Sequence, residues 1–160
     1  MPSPLPSIAE LKRRLAPGAR LLGLDVGEKT IGLALSDTTL TVASAMTTLR
    51  RGKFAADAER IARIAAEEGV GGLVLGLPIN MDGSEGPRCQ SVRQFAKNLG
   101  ERVLLPLAFW DERLSTAAVT RTMLAADMTR KRRAATVDKL AAAYILQGAL
   151  EAGRGQAEDH

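Results

Sequence analysis

The chain of 160 residues has very few of the side chains that enzymes use as nucleophiles or as soft metal ligands. It contains one cysteine, Cys89, and one histidine, His160, at the last position. A single cysteine excludes an internal disulfide and a thiolate zinc site, and it suits a reducing compartment. A lone histidine at the terminus argues against Ser-His or Cys-His catalysis. Any catalysis should therefore depend on carboxylates.

Aromatic residues and long apolar runs are also scarce. Aromatics make up 3% of the chain, too few for a platform on which successive bases stack, so contacts with backbone phosphates are expected instead. No run of about 18 apolar residues is present, and residues 1–20 lack an apolar signal core, which predicts a cytoplasmic protein with no membrane span. The formal charge of +4 modestly favours a polyanionic partner.

The hydrophobic and charged fractions, 46% and 25%, are those of an ordinary globular domain. We expect a tail with a short helix over residues 1–19, one domain over 20–151 and a frayed end over 152–160. The periodicity predicts strands at 20–26, 30–36, 41–46, 72–77 and 103–110, and helices at 53–68, 88–99, 115–126 and 135–151. Because helices enter only after three antiparallel strands, the fold class is α/β, with a mixed five-stranded sheet and helices on both faces.

The most informative segment is the first predicted hairpin, residues 21–37, in which Asp25 interrupts an apolar strand before the turn at Gly27. The strand pattern places Asp25 in the interior of the sheet. A bare buried carboxylate is prohibitively costly, so it must meet a cation or hydrogen-bond donors. A divalent metal ion is the simplest such cation.

Two further acids stand at positions that could bring them to the same end of the sheet. Glu112 follows the last predicted strand, and Asp138 lies near the start of the final helix. Three carboxylates at one place cannot all stay ionised without cations, and Mg²⁺ prefers oxygen ligands and phosphate. The alternative, that each acid is solvated or caps an element, remains open from the sequence.

A glycine-rich loop and a basic run are candidate substrate-binding segments. The loop, residues 76–88, leads into a helix, so its backbone N–H groups could seat a phosphate, with Asn80, Gly83 and Arg88 as candidate contacts. Four consecutive cations precede Asp138 and could grip phosphates that flank a scissile bond: Arg130, Lys131, Arg132 and Arg133. A solvated charged face is the alternative for the basic run.

Taken together, these segments resemble the bacterial YqgF family, also called RuvX. The similarity covers roughly residues 20–150 and rests on the hairpin around Asp25, the loop Gly76 to Arg88, the segment Asp111 to Thr116 and the segment Val137 to Ala142. The family has an RNase H-like fold and is described as Holliday junction resolvases and as nucleases that mature the 5′ end of 16S ribosomal RNA. By this resemblance the catalytic acids are Asp25, Glu112 and Asp138.

The resemblance implies a hydrolase with two Mg²⁺ or Mn²⁺ ions roughly 4 Å apart at the scissile phosphate, bridged by Asp25, with Glu112 and Asp138 each holding one ion. It favours pre-16S rRNA as substrate, with a branched DNA junction as the alternative, and a two-fold junction would call for a dimer. Two other classes remain: an ATP-binding protein of the actin and sugar-kinase type, which needs a second lobe, and an inactive nucleic-acid-binding module.

Overall fold

The computed structural model of the protein describes residues 6–114 and 139–152. Its centre is one five-stranded sheet in the order β3-β2-β1-β4-β5. The strands are β1 (Arg20–Val26), β2 (Thr30–Ser36), β3 (Ala43–Arg50), β4 (Val70–Leu77) and β5 (Leu107–Asp111). Strand β2 is antiparallel to both of its neighbours, whereas β1, β4 and β5 are parallel. The predicted mixed sheet is confirmed.

Helices cover both faces of the sheet, as predicted. They are α1 (Ile8–Arg14), α2 (Phe54–Glu68) and α3 (Pro87–Arg102), together with residues 139–152, which we call α4, and a 3₁₀ turn, Glu112–Leu114, follows β5. One core cluster joins the sheet to α2 and α3, and the second joins it to α1 and α4. The predicted helix at 115–126 lies outside the described residues.

The alternation of side chains along β1 fixes which residues point to which pair of helices. Leu22, Leu24 and Val26 belong to the cluster on the α2 and α3 side, whereas Leu21 belongs to the cluster on the other side. Gly23 shares the side of Leu21, and a Cβ added there would lie 2.8 Å from Cβ of Leu146. The glycine therefore lets α4 approach the middle of the sheet closely.

Several strand boundaries differ from the prediction: β3 ends at Arg50 rather than 46, β4 begins at Val70 rather than 72, β5 ends at Asp111 rather than 110, and β3 and β5 begin later than expected. Strand β3 begins at Ala43 rather than 41, because the carboxylate of Asp37 accepts the N–H groups of Thr41 and Val42 and holds a turn there. Within that turn Leu40 has a φ of 57°. Strand β5 begins at Leu107 rather than 103, because α3 continues to Arg102 and the N–H of Val103 still bonds the carbonyl of Leu99.

The predicted amino-terminal helix is present and packs into the fold. Ser7 caps α1 by accepting the N–H of Glu10, and Leu11 is fully buried. The ammonium of Lys12 donates to the carbonyl of Leu150 at 2.7 Å, which joins α1 to the end of α4. The domain boundaries themselves stay a prediction. Over the two described ranges, no helix has the length and apolar character needed to cross a membrane.

Candidate active site

Asp25 lies at the carboxyl end of β1, in the interior of the protein. Only 3% of its surface is exposed, although its neighbours on the strand are aliphatic. Since Val26 points toward α2 and α3, alternation places the Asp25 side chain on the α4 side of the sheet. The structure thus confirms the expectation from sequence that this carboxylate is buried within the sheet.

Glu112 is the second buried acid, and it comes to the same end of the sheet. Its residue, in the turn after β5, is 7% exposed. A Cβ added to Gly76 of β4 would lie 3.1 Å from both Cγ and Oε2 of Glu112, so the Glu112 side chain occupies the space over this glycine. Strands β1 and β4 pair up to Leu24 and Leu75, and Asp25 and Gly76 are the next residues. The two acids therefore lie on the same face, across neighbouring strands.

Arg113 ties the turn that carries Glu112 to the glycine loop. Its guanidinium forms an ion pair with Asp111 at 2.7 Å and donates to the carbonyl of Asn80 at 3.4 Å. The ion pair lowers the pKa of Asp111 below its usual value of 3.8, because Arg113 stabilises the carboxylate through hydrogen bonds and charge. The loop and the Glu112 turn are thereby held against each other.

The glycine loop is closed by its own hydrogen bonds. The N–H of Asn80 donates to the carbonyl of Ser84, the N–H of Gly83 to the carbonyl of Asn80, and the N–H of Ser84 to the carboxylate of Asp82. Gly83 has a φ of 90°, which explains the glycine there. These three N–H groups are used within the loop, so the expected phosphate seat cannot be built from them. The first turn of α3 adds further N–H donors at the end of this segment.

The structure divides the predicted substrate contacts between two places. Asn80 and Gly83 lie beside Arg113, near Glu112. Arg88, in the first turn of α3, instead lines a pocket beside the turn that follows β1. The third acid, Asp138, and the basic run lie outside the described residues: Arg130, Lys131, Arg132 and Arg133.

The donors that are described fit a hard divalent cation. Asp25 and Glu112 offer carboxylate oxygens in a buried setting, and oxygen ligands of this kind are those that Mg²⁺ prefers. In the parts of the chain that the structure describes, no three acids, histidines or cysteines group closely enough to hold an ion by themselves. A complete ligand set therefore needs a further oxygen donor.

Sequence analysis missed three residues that shape this region. Gly76 provides the space that Glu112 occupies, Arg113 joins the Glu112 turn to the loop, and Arg51 lines the same pocket as Arg88. Gly76 and Arg113 stand inside motifs that the sequence marked as important, but the motifs did not indicate what these two residues do. Arg51 follows a strand and carries no local pattern that could have marked it.

Both the fold and the sequence of this chain have counterparts among known proteins. The structure matches RuvC from Thermus thermophilus in complex with Holliday junction substrate at a TM-score of 0.52 and 11% identity, covering 86% of this chain and 96% of that one. The fold is therefore RNase H-like, as predicted. The model of the RuvX family, described as Holliday junction resolvase, matches residues 19–152. The chain belongs to the RuvX family.

Relatives with high sequence identity support the same conclusion. A protein of Paramagnetospirillum magneticum is 60% identical over 148 residues, covering 92% of this chain and 96% of the relative. One of Rhodospirillum centenum is 59% identical over 150 residues, covering 91% and 80%. Both carry the name "Putative pre-16S rRNA nuclease". The family predicted from the motifs is confirmed.

Proposed function

We propose that the protein is a divalent-metal-dependent endonuclease that hydrolyses phosphodiester bonds during maturation of the 5′ end of pre-16S rRNA in the cytoplasm. The observation that carries this proposal is the pair of buried carboxylates, Asp25 and Glu112, brought to one end of an RNase H-like sheet. The names of the relatives support the RNA substrate. The family description favours a second candidate, cleavage of branched DNA at a Holliday junction.

In this proposal Asp25 and Glu112 hold Mg²⁺ or Mn²⁺, with two ions as the family resemblance implies. The bound metal supplies positive charge at the scissile phosphate and makes a water molecule more acidic. Burial keeps bulk water away from the two carboxylates, which strengthens their hold on a cation. Because Glu112 lies on a turn fixed by Arg113, its carboxylate needs little reorganisation on binding.

We assign the third ligand to Asp138, and the direction of α4 supports this assignment. Leu150, near the end of α4, contacts Lys12 of α1, whereas Leu146 lies over Gly23 in the middle of β1. Followed backward, the helix axis therefore leads toward the end of the sheet that carries Asp25. Asp138 directly precedes the described part of α4.

Substrate contacts in the proposal come from three segments. Asn80 and Gly83 form a rigid border beside the Glu112 turn, and Arg88 contacts a backbone phosphate at the start of α3. The basic run supplies contacts that hold the strand on either side of the cut: Arg130, Lys131, Arg132 and Arg133. These contacts determine binding, whereas the carboxylates determine the rate.

The test compares Asp25→Asn with the wild-type protein and with Glu67→Gln, which removes an exposed carboxylate at the far end of α2. RNA carrying the 5′ flank of 16S rRNA and a four-way DNA junction are incubated with each protein, with and without Mn²⁺. Asp25→Asn should lower the cleavage rate by about 100-fold or more. It should leave nucleic-acid binding in EDTA nearly unchanged, because the phosphate contacts remain.

Each outcome has one meaning. Cleavage of the junction but not the RNA would replace the first candidate with the second. Equal cleavage by the wild type and Asp25→Asn, or binding of both nucleic acids without cleavage by the wild type, would overturn the nuclease assignment.

A further inference from the structure

A pocket of about 140 Å³ lies at the end of β1, on the side of the sheet opposite Asp25. Its walls come from three separate segments: the turn Gly27–Glu28, Arg51 just after β3, and the first two turns of α3 with Arg88 and Ser91. Two guanidinium groups and one carboxylate line it, so its net charge is positive. A pocket of this size and charge suits a single phosphate group.

Arg51 is held in place at this pocket by contacts that leave most of its donors available. Its Nη1 donates to the carbonyl of Gly27 at 2.6 Å, and its guanidinium lies 5.2 Å from the ring centroid of Phe95. Its backbone N–H also bonds the carbonyl of Lys29 at 2.8 Å. A guanidinium has five N–H donors, and within residues 6–114 and 139–152 no carboxylate pairs with this one. Arg51 is thus an ordered cation without a counter-ion there.

Arg88 provides a second cation from the opposite wall. It is exposed, and it too lacks a carboxylate partner in the described ranges. Helix α3 has no acidic residue in its first turn, and its capping position is Gly86, which has no side chain to accept a hydrogen bond. The first turn of this 16-residue helix therefore carries no negative charge of its own, and Glu85, just before the cap, is paired with Arg93. Arg88 adds a full charge to that end.

The position of the pocket relative to the acids gives it a function. Gly27, which lines the pocket, follows Asp25 by two residues, so the pocket and the acids share one end of the sheet although they lie on opposite faces. A nucleic-acid strand whose scissile phosphate lies at Asp25 and Glu112 can continue over this end of the sheet and place a nearby phosphate in the pocket.

We propose that Arg51 and Arg88 together form a seat for a backbone phosphate near the one that is cut. The inference rests on the proposed nuclease function for its orientation, and it adds Arg51 and a defined subsite to that function. Each arginine contributes charge-assisted hydrogen bonds to a non-bridging phosphate oxygen. No metal ion is needed for this contact, so it forms in the presence of EDTA.

The experiment measures binding of the RNA and the four-way junction in EDTA over a range of salt concentrations. Arg51→Gln and Arg88→Gln should each weaken binding about tenfold or more at low salt. Each should also lower the slope of log K against log salt by about 0.9 on duplex DNA, or about 0.7 on single strands. Arg51→Lys should recover part of the affinity, because it keeps the charge but loses the fork.

Arg13→Gln is the matched control, since it removes an exposed arginine from α1, at the opposite end of β1. If Arg88→Gln changes the slope no more than Arg13→Gln, the seat does not exist. Arg88 has no structural hydrogen bond in the described ranges, so this variant tests the seat even if Arg51→Gln fails to fold. If the wild-type protein cuts neither probe but Arg88→Gln still lowers the slope, the seat is supported and the nuclease assignment is overturned.

Discussion

The substitution Gly76→Ala tests directly whether the position of Glu112 matters. A methyl group on Gly76 would lie 3.1 Å from Cγ and Oε2 of Glu112 and would also collide with the end of Ile145. Favourable contacts between such atoms begin near 3.5 Å, so the Glu112 side chain must move by at least about 0.4 Å. Catalytic groups need placement within about 0.5 Å, and a shift of about 1 Å can cost 100-fold in rate. We expect cleavage to fall by about 10- to 100-fold.

Gly72→Ala is the matched control because it makes the same change on the same strand and face. The new methyl group would meet Leu11 at 2.9 Å and Leu21 at 3.0 Å, far from the acids. Overpacking should cost each variant about 1–3 kcal/mol of unfolding free energy. For a domain of this size that is a fall in Tm of about 2–12 °C.

The assay is the cleavage rate as a function of Mn²⁺ concentration, measured well below the Tm of both variants. Only Gly76→Ala should lose rate and require more Mn²⁺, because only that variant displaces a proposed ligand. Equal rates and equal Mn²⁺ midpoints for the two variants would refute the argument that Gly76 exists to make room for Glu112.

Two further predictions concern stability. Asp57 is buried and accepts hydrogen bonds from the N–H of Gly52 and from Arg60 at 2.7 Å, so Asp57→Asn should lower the unfolding free energy in urea by about 1.5–3 kcal/mol. Glu59→Gln, which breaks an exposed pair on the same helix, should cost less than about 0.5 kcal/mol, and equal losses would contradict the reasoning. The Thr39 hydroxyl and two backbone N–H groups lower the pKa of Asp37 from 3.8 to about 2. The ionised Asp37 carboxylate therefore stabilises the fold above about pH 4, and this stabilisation is lost as the pH falls toward about 2. The difference in unfolding free energy between the wild type and Asp37→Asn should shrink over that interval. A difference that stays constant would contradict the argument.

The sheet and the helices on its two faces could be predicted from the sequence. Strands β1 and β4 are continuous apolar runs, which favour burial on both faces, and the turn at Gly27 separates two strands of the expected length. Asp25 could be recognised as exceptional because a carboxylate inside such a run conflicts with its surroundings. These signals are local, since each depends on residues within one element.

The tertiary structure determined the features that depend on contacts between segments remote in sequence. The start of β3 depends on hydrogen bonds from Asp37 to the turn, and the start of β5 depends on how far α3 continues. Glu112 fills the space over Gly76 only because β5, which precedes Glu112, pairs with β4. Arg51 and Arg88 line the same pocket although they are 37 positions apart in the chain, which no periodicity encodes.

The glycine loop shows the same division most clearly. Its composition indicated a segment that contacts substrate, and the positive φ at Gly83 agrees with the need for glycine. Three of its backbone N–H groups, however, are used within the loop, and its two ends lie at different places, one beside Glu112 and one beside Gly27. Sequence alone determined which residues carry charge and flexibility. Only the folded chain decided which donors remain available, because hydrogen bonds are allotted by distances between segments that are remote in sequence.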